Sequence, residues 1–164
     1  FVGDSEYAHT PSAVRVQCSA QRRHDDGNLP ASQIRKACPD YELWLEPGRF
    51  RVARAGVLLT HVTQTKGKGE MHYIGVGTGM NSLIRPALYG AYHEIVNLSR
   101  LDEPATDTVT VVGPICETGD RLGIDRLLPA SREGDVILVL NTGAYGYVMG
   151  SNYNMRGIAK EVLI

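Results

Sequence analysis

Between residues 56 and 80 the chain alternates apolar and polar positions with the period of a β-strand, and the stretch "AGVLLTHVTQTKGKGEMHYIGVGTG" predicts a β-hairpin. Val57, Leu59, His61 and Thr63 fall on one face; Leu58, Thr60 and Val62 fall on the other. The polar, glycine-rich "TKGKGE" predicts the tip. Further strands are expected at "DTVTVVG", from its β-branched residues, at "EGDVILVLNTG", read as buried on both faces, and at the final "AKEVLI". Upstream, "YELWLEPGR" sets Tyr41, Leu43 and Leu45 against Glu42, Trp44 and Glu46, a short strand that stops at Pro47-Gly48. "ASQIRKACPDY" predicts a short helix capped by Ser32 and closed at Pro39. In "NSLIRPALYGAYHEI", Pro86 interrupts any helix that begins near Ser82. "GAYGYVMGSNYNMR" has the aromatic and glycine texture of a functional loop or short helix, and residues 1–30 show no period and read as irregular. Many short strands from about Gly56 onward make the chain mainly β, a sandwich or Greek-key barrel.

Composition narrows the function without naming it. The 164 residues are enough for one domain with a core, and 43% hydrophobic with 21% charged residues is ordinary for a globular protein. A net charge of -1 gives no electrostatic reason to bind nucleic acid or an anionic membrane. No apolar run approaches the ~20 residues of a membrane helix, and "FVGDSEYAHT" lacks the basic-then-apolar order of a signal peptide. The three cysteines, Cys18, Cys38 and Cys116, are widely spaced, and no Cys-x-x-Cys pair occurs. A disulfide framework and a structural zinc site are therefore not expected, and a reducing, cytoplasmic setting is. A chain that begins at Phe1 rather than methionine is expected to be a fragment or a processed product.

Three groups of residues carry candidate chemistry. In "EPGR", Gly48 opens the backbone to an anion and Arg49 can pair with phosphate or carboxylate, while Glu46 and Arg49 could equally form a local ion pair. In "NSLIRPALYGAYH", a helical turn would put Arg85 and Tyr89 on one face, able to hold a carboxylate. The bland alternative is an exposed Arg85 beside half-buried Tyr89 and Tyr92. In "GPICETGD", Cys116 with Glu117 could be a catalytic thiol beside a carboxylate that binds an amine, or a buried inert cysteine beside a solvated acid. Tyr145, between two glycines in "GAYG", suits a ring placed against a cofactor, or its glycines simply make turns.

Taken in order, "LWLEPGRF", "VTQTKGKGE", "GMNSLIRPALYGAYHEI", "VVGPICETGD" and "GDVILVLNTGAYGYVMGSNYNMR" resemble the C-terminal part of the diaminopimelate decarboxylases, pyridoxal-phosphate enzymes of the alanine-racemase-like fold type. "VTQTKGKGE" resembles the form fused to aspartate kinase. The resemblance implies a C-terminal β-domain at 56–164, preceded at 35–55 by the last strand of a pyridoxal-phosphate-binding (β/α)8 barrel, with 1–34 unmatched. It implies that Glu46 faces the pyridine nitrogen of the cofactor, that Gly48 and Arg49 serve its phosphate and a substrate carboxylate, and that Tyr145 lies near it. Arg85 and Tyr89 match substrate-carboxylate and phosphate-side contacts. Cys116 and Glu117 match a pair that enters the active site of the other subunit of a homodimer, the glutamate on the distal amine and the cysteine protonating the product carbanion. The implied reaction turns meso-diaminopimelate into lysine and carbon dioxide. Related decarboxylases act on ornithine, arginine and carboxynorspermidine, and the glutamate of "ICETGD" favours diaminopimelate. None of Lys36, Lys66, Lys68 and Lys160 lies in the family's Schiff-base lysine motif, so this chain alone is expected to be inactive. That absence also motivates a second expectation, a non-catalytic β-domain or relic that associates with an intact homologue. Two positions depart from the family: Gly77 where aspartate is usual, and Arg51 where an apolar residue is usual.

Overall fold

The computed structural model describes residues 13–16, 36, 39–40, 42–45, 48–69 and 71–164. The chain divides between Arg51 and Val52 into two compact units. In the first, strand β1 (Ala13–Val16) pairs in parallel with β2 (Glu42–Leu45), from Ala13 opposite Glu42 to Val16 opposite Leu45. Parallel pairing is the arrangement of neighbouring strands in a (β/α)8 barrel. β1 forms inside the stretch read as irregular; four residues of "AVRV" are too few to establish a period. Most of the expected helix at 31–41 lies outside the described residues.

The second unit is one six-stranded sheet. Its strands are β3 (Leu58–Lys68), β4 (Met71–Val76), β5 (Ile95–Asn97), β6 (Asp107–Val112), β7 (Arg121–Leu128) and β8 (Val136–Val139), in the spatial order β5-β8-β3-β4-β6-β7. β3 is long enough to serve two partners. Leu58 to His61 pair with β8, and the stretch from Val62 to Lys68 pairs with β4 after an irregularity between Val62 and Gln64. A bulge of that kind bends the strand and increases its twist. β4 and β6 run parallel, and every other pairing in this sheet is antiparallel. The two ends of the sheet curl together: a Cβ on Gly123 of β7 would lie 2.7 Å from Cδ1 of Ile95 on β5. The result is mainly β, a nearly closed barrel of short strands, as the sequence predicts.

The hairpin faces fall as expected. Leu58, Thr60 and Val62 point into the core, whereas Val57, Leu59, His61 and Thr63 are exposed. Val62 and Ile74 meet Val109, Val111, Leu122, Ile137 and Val139 in one apolar cluster. Each such side chain contributes roughly 1.5–3 kcal/mol by burial.

Four readings need correction. The hairpin tip is shorter than "TKGKGE", because Thr65 to Lys68 still belong to β3 and pair with Ile74 to Met71 of β4. β8 is not buried on both faces: Ile137 and Val139 are fully buried but Val136 between solvent and sheet is 38% exposed, because the barrel has one inner face. "AKEVLI" is not a strand. Its start is held by other groups, since the Ala159 N–H donates to Ser82 Oγ at 3.0 Å and Gly157 O accepts from Asn81 Nδ2 at 3.0 Å, and Val162, Leu163 and Ile164 are exposed. Pro86 does not interrupt a helix but opens one, Arg85–Tyr89, standing in the first turn where no N–H is needed.

A polar knot closes the corner between β5 and β8. The Asp135 carboxylate accepts from Arg100 Nε at 2.6 Å, Asn97 Nδ2 at 3.0 Å and the Arg132 N–H at 2.9 Å. Burial pushes its carboxyl up, but these donors together outweigh burial and hold it at about 2. Among the described residues no helix is long and apolar enough to cross a membrane.

Candidate active site

The helix Arg85–Tyr89 is delivered by a tight loop. The N–H groups of Ser82 and Leu83 both donate to Gly79 O, at 2.9 and 3.0 Å, and Leu83 is sunk into the core. Positions four apart on the helix share a face, and the Arg85 guanidinium lies 5.5 Å from the Tyr89 ring centroid. Tyr145 arrives from the loop after β8 and puts its ring 5.9 Å from the same guanidinium. The bland alternative is reversed in the molecule: Arg85 is 7% exposed, while Tyr89 and Tyr92 are 57% and 62% exposed.

Tyr145 is held at a cost. Its φ of 61° is left-handed, where a non-glycine residue loses of order 1–3 kcal/mol. The loop is fixed backbone against backbone: the Gly143 N–H donates to Ala53 O at 3.0 Å and the Thr142 N–H to Gly56 O at 2.9 Å. A Cβ on Gly143 would overlap Val52 O and lie 2.6 Å from Gly56 N, so only glycine allows this approach. The sequence singles out Tyr145 but not the Gly143 seat beneath it.

Arg85 Nε is buried without a hydrogen-bond partner, and among the described residues no carboxylate pairs with the guanidinium. Among the described residues the guanidinium is supported by these two aromatic faces, which compensate a buried cation poorly. An anionic ligand would compensate it, with the two phenols beside it as further donors.

The loop after β6 separates the acids that the sequence brings together. Cys116 is a free, exposed thiol. Glu117 is exposed, with Oε1 3.4 Å from the Gly119 N–H. Asp120 is the opposite, only 3% exposed, with Oδ1 accepting from the Met80 N–H at 2.6 Å and Oδ2 from the Ile115 N–H at 2.7 Å. Burial raises its carboxyl above the usual range, and the two N–H donors and Arg156 counter this in part. The loop runs beside the helix, since a Cβ on Gly119 would stand 3.9 Å from that of Ala87. Buried Cys116 is thereby excluded, and the thiol and Glu117 face outward.

The structure therefore brings Arg85, Tyr89 and Tyr145 together and sets the Cys116–Glu117 loop alongside their helix. Glu46 lies outside the described residues. Gly48 is exposed and Arg49 half-buried, at the start of a helical turn of the first unit in which the Arg51 N–H donates to Gly48 O at 3.2 Å. Arg51 itself is exposed, which suits a charge at that position. Gly77 lies under the His61 ring, where a Cβ would come within 2.9 Å of Cε1. Among the described residues no group of three or more His, Cys, Asp or Glu side chains could hold a metal.

Residues 2–143 match the family model of the C-terminal sheet domain of pyridoxal-dependent decarboxylases. The chain belongs to this family. The match to the decarboxylase domain begins upstream of Tyr41, where the motifs of the resemblance start. Among curated relatives, the diaminopimelate decarboxylase of Archaeoglobus fulgidus is 48% identical over 138 residues, covering 83% of this chain and 33% of that protein. A crystal structure of diaminopimelate decarboxylase superposes with a TM-score of 0.72 at 33% identity, covering 96% of this chain and 43% of that one. The M. jannaschii enzyme, in complex with L-lysine, gives a TM-score of 0.71 at 33% identity over 90% of this chain and 36% of its own. The chain thus spans about a third of the length of the curated decarboxylases it matches.

Proposed function

We propose that this chain is the C-terminal part of a cytoplasmic, pyridoxal-phosphate-dependent decarboxylase that converts meso-diaminopimelate to lysine and carbon dioxide. The observation that carries the reading is the buried, uncompensated Arg85 between Tyr89 and Tyr145, in a chain of the pyridoxal-dependent family. Such a cation fits an anionic group, and both the phosphate of the cofactor and the carboxylates of an amino-acid substrate are anionic groups. The bound cofactor supplies the electron sink for the electron pair left when carbon dioxide departs.

This chain's own residues do the holding. Arg85 and Tyr89 take a substrate carboxylate and the phosphate side, and Tyr145 sits by the cofactor. Gly48 and Arg49 serve the phosphate and a carboxylate, and Glu46 faces the ring nitrogen, where a carboxylate keeps the proton in place. Glu117 binds the distal ammonium group. The Cys116 thiol delivers the proton to the carbon that lost carbon dioxide. Both come from the opposite subunit of a homodimer, which accounts for their exposure here: Glu117 takes one long contact in its own loop, 3.4 Å from the Gly119 N–H, and its carboxylate otherwise faces outward. The cofactor lysine and the rest of the barrel come from the sequence outside this third of the enzyme.

The test is the frame upstream of the Phe1 codon. Expressed with this chain, it should release carbon dioxide from meso-diaminopimelate only when pyridoxal phosphate is supplied. In that enzyme, Cys116→Ala and Glu117→Gln should lower turnover by roughly 10²-fold, the scale of a lost acid or binding group. Unchanged turnover in both variants, or an upstream frame with no barrel and no cofactor lysine, overturns the reading.

A further inference from the structure

The Asp120 carboxylate stands between two glycines. A Cβ on Gly79 would overlap its Oδ1, and a Cβ on Gly113 would overlap its Oδ2. Both positions are therefore restricted to glycine, Gly79 by this side chain and Gly113 by it together with the Gly79 Cα, 2.5 Å from such a Cβ. Each carboxylate oxygen accepts a backbone N–H from a different loop: Oδ1 from Met80, 40 residues away in sequence, and Oδ2 from Ile115, five residues away. The main chain of Asp120 closes its own loop as well, its O accepting from the Gly113 N–H and its N–H donating to Glu117 O, both at 3.0 Å.

These two loops carry the two parts of the candidate site. Met80 lies in the turn whose Gly79 carbonyl gathers Ser82 and Leu83 just before the Arg85 helix. Ile115 immediately precedes Cys116 and Glu117, and is buried while they are exposed. We propose that Asp120 is a positioning residue, whose buried carboxylate ties the loop presenting Cys116 and Glu117 to the loop that delivers Arg85, so that one fold element sets both. Asp120 itself touches no ligand. It acts through the Ile115 and Met80 amides, and a carboxylate is needed because both bonds come from N–H donors. Asparagine, of the same size, would turn an NH2 toward one of them. The catalytic consequence rests on the decarboxylase reading; the linkage between the loops does not.

The experiment therefore has two arms. In this full chain, amide exchange at Met80 and Ile115 should be slow. In Asp120→Asn the amide that meets the NH2 should exchange roughly tenfold to hundredfold faster, the size of a lost hydrogen bond to a charged group. Alkylation of Cys116 by iodoacetamide, followed by mass spectrometry of its peptide, should change by about threefold or more, and Gly79→Ala, which displaces the carboxylate without removing it, should do the same. Fast exchange at either amide in the unsubstituted chain overturns the proposal, even if neither variant folds. In the complete enzyme, Asp120→Asn should raise KM and lower kcat at temperatures where circular dichroism shows it folded. A brace that merely holds the barrel together would lower Tm and leave KM and Cys116 reactivity of the folded protein unchanged, and that result also overturns it. If the unsubstituted complete enzyme does not decarboxylate diaminopimelate, the function reading fails alone, and the amide and thiol measurements still decide the role of Asp120.

Discussion

Arg85 separates function from stability on a single side chain. Arg100, half-buried, pairs its guanidinium with the carboxylates of Asp135 and Glu103. Arg85 has two ring faces near the outer limit of a cation–π contact and a bare Nε. Arg85→Met keeps the length and the apolar stem while deleting the charge. Replacing an uncompensated buried charge by a well-packed apolar side chain is neutral or stabilising by up to a few kcal/mol. The expected outcome is a urea midpoint for this chain that is unchanged or higher, together with a loss of turnover of about 10²-fold or more in the complete enzyme, the scale set by removing one charge-stabilising donor. A clear loss of stability without loss of turnover would make Arg85 structural. Cys116→Ala and Glu117→Gln should likewise leave this chain's stability within about 0.5 kcal/mol, because both side chains are exposed. The expected signature of all three is a functional loss with no folding loss, which truncation of a core residue would not give.

At the level of elements, the loop after β8 and the corner beside it make opposite predictions. Gly143→Ala forces a Cβ into the Val52 carbonyl and should destabilise the chain by more than about 2 kcal/mol, measured by urea unfolding, with Tyr145 displaced from Arg85. At the β5–β8 corner, the Asp135 carboxyl is held at about 2 against an ordinary 3.8. Its contribution to stability is therefore complete above the ordinary value and is lost as pH falls toward 2, so acid unfolding should steepen there and Asp135→Asn should flatten that limb. Asp120, raised by burial, works in the other direction: its contribution is complete below the ordinary value and weakens as pH rises through the raised one. Sequence pattern was enough for elements with one clean period. The hairpin alternates from Val57 to Thr63, and its buried set emerged on the expected face. β7 left no such trace, because its register shifts against β6 twice and Asp125 takes a left-handed φ of 52°, which scrambles the alternation of "RLGIDRLL". β5 is too short to show a period. The motif residues of the site were visible as chemistry, yet Asp120 and Glu117, three positions apart, look alike in sequence. Only the two N–H groups that close on Asp120 from separate loops distinguish a buried anchor from an outward-facing acid.

For the whole molecule the decisive question is whether one chain completes a site by itself. The outer surface of the second unit carries Val57, Leu59, Met71, Ile124 and Leu127, each at least 50% exposed, and the Cys116–Glu117 loop lies on the same unit with both side chains exposed. A homodimer that exchanges this loop would give each site an Arg85 from one subunit and a Cys116–Glu117 pair from the other. That arrangement can be read out by mixing two dead enzymes. One carries Arg85→Met in the complete chain, and the other carries Cys116→Ala with Glu117→Gln. Each homodimer has two defective sites. After dissociation and random reassociation about half of the dimers are mixed, and in these one site collects both defects while the other collects none. Turnover should therefore recover to roughly a quarter of the unsubstituted level, scaling with the fraction of mixed dimers. If each subunit instead builds its site from its own Arg85 and its own Cys116–Glu117 loop, every site in every dimer stays defective and mixing restores nothing. The packing of the Gly119 turn against Ala87 makes this contrast informative. The loop lies beside its own Arg85 helix, so the site each serves is decided by which way Cys116 and Glu117 face once a second subunit is in place, and recovery on mixing measures that directly.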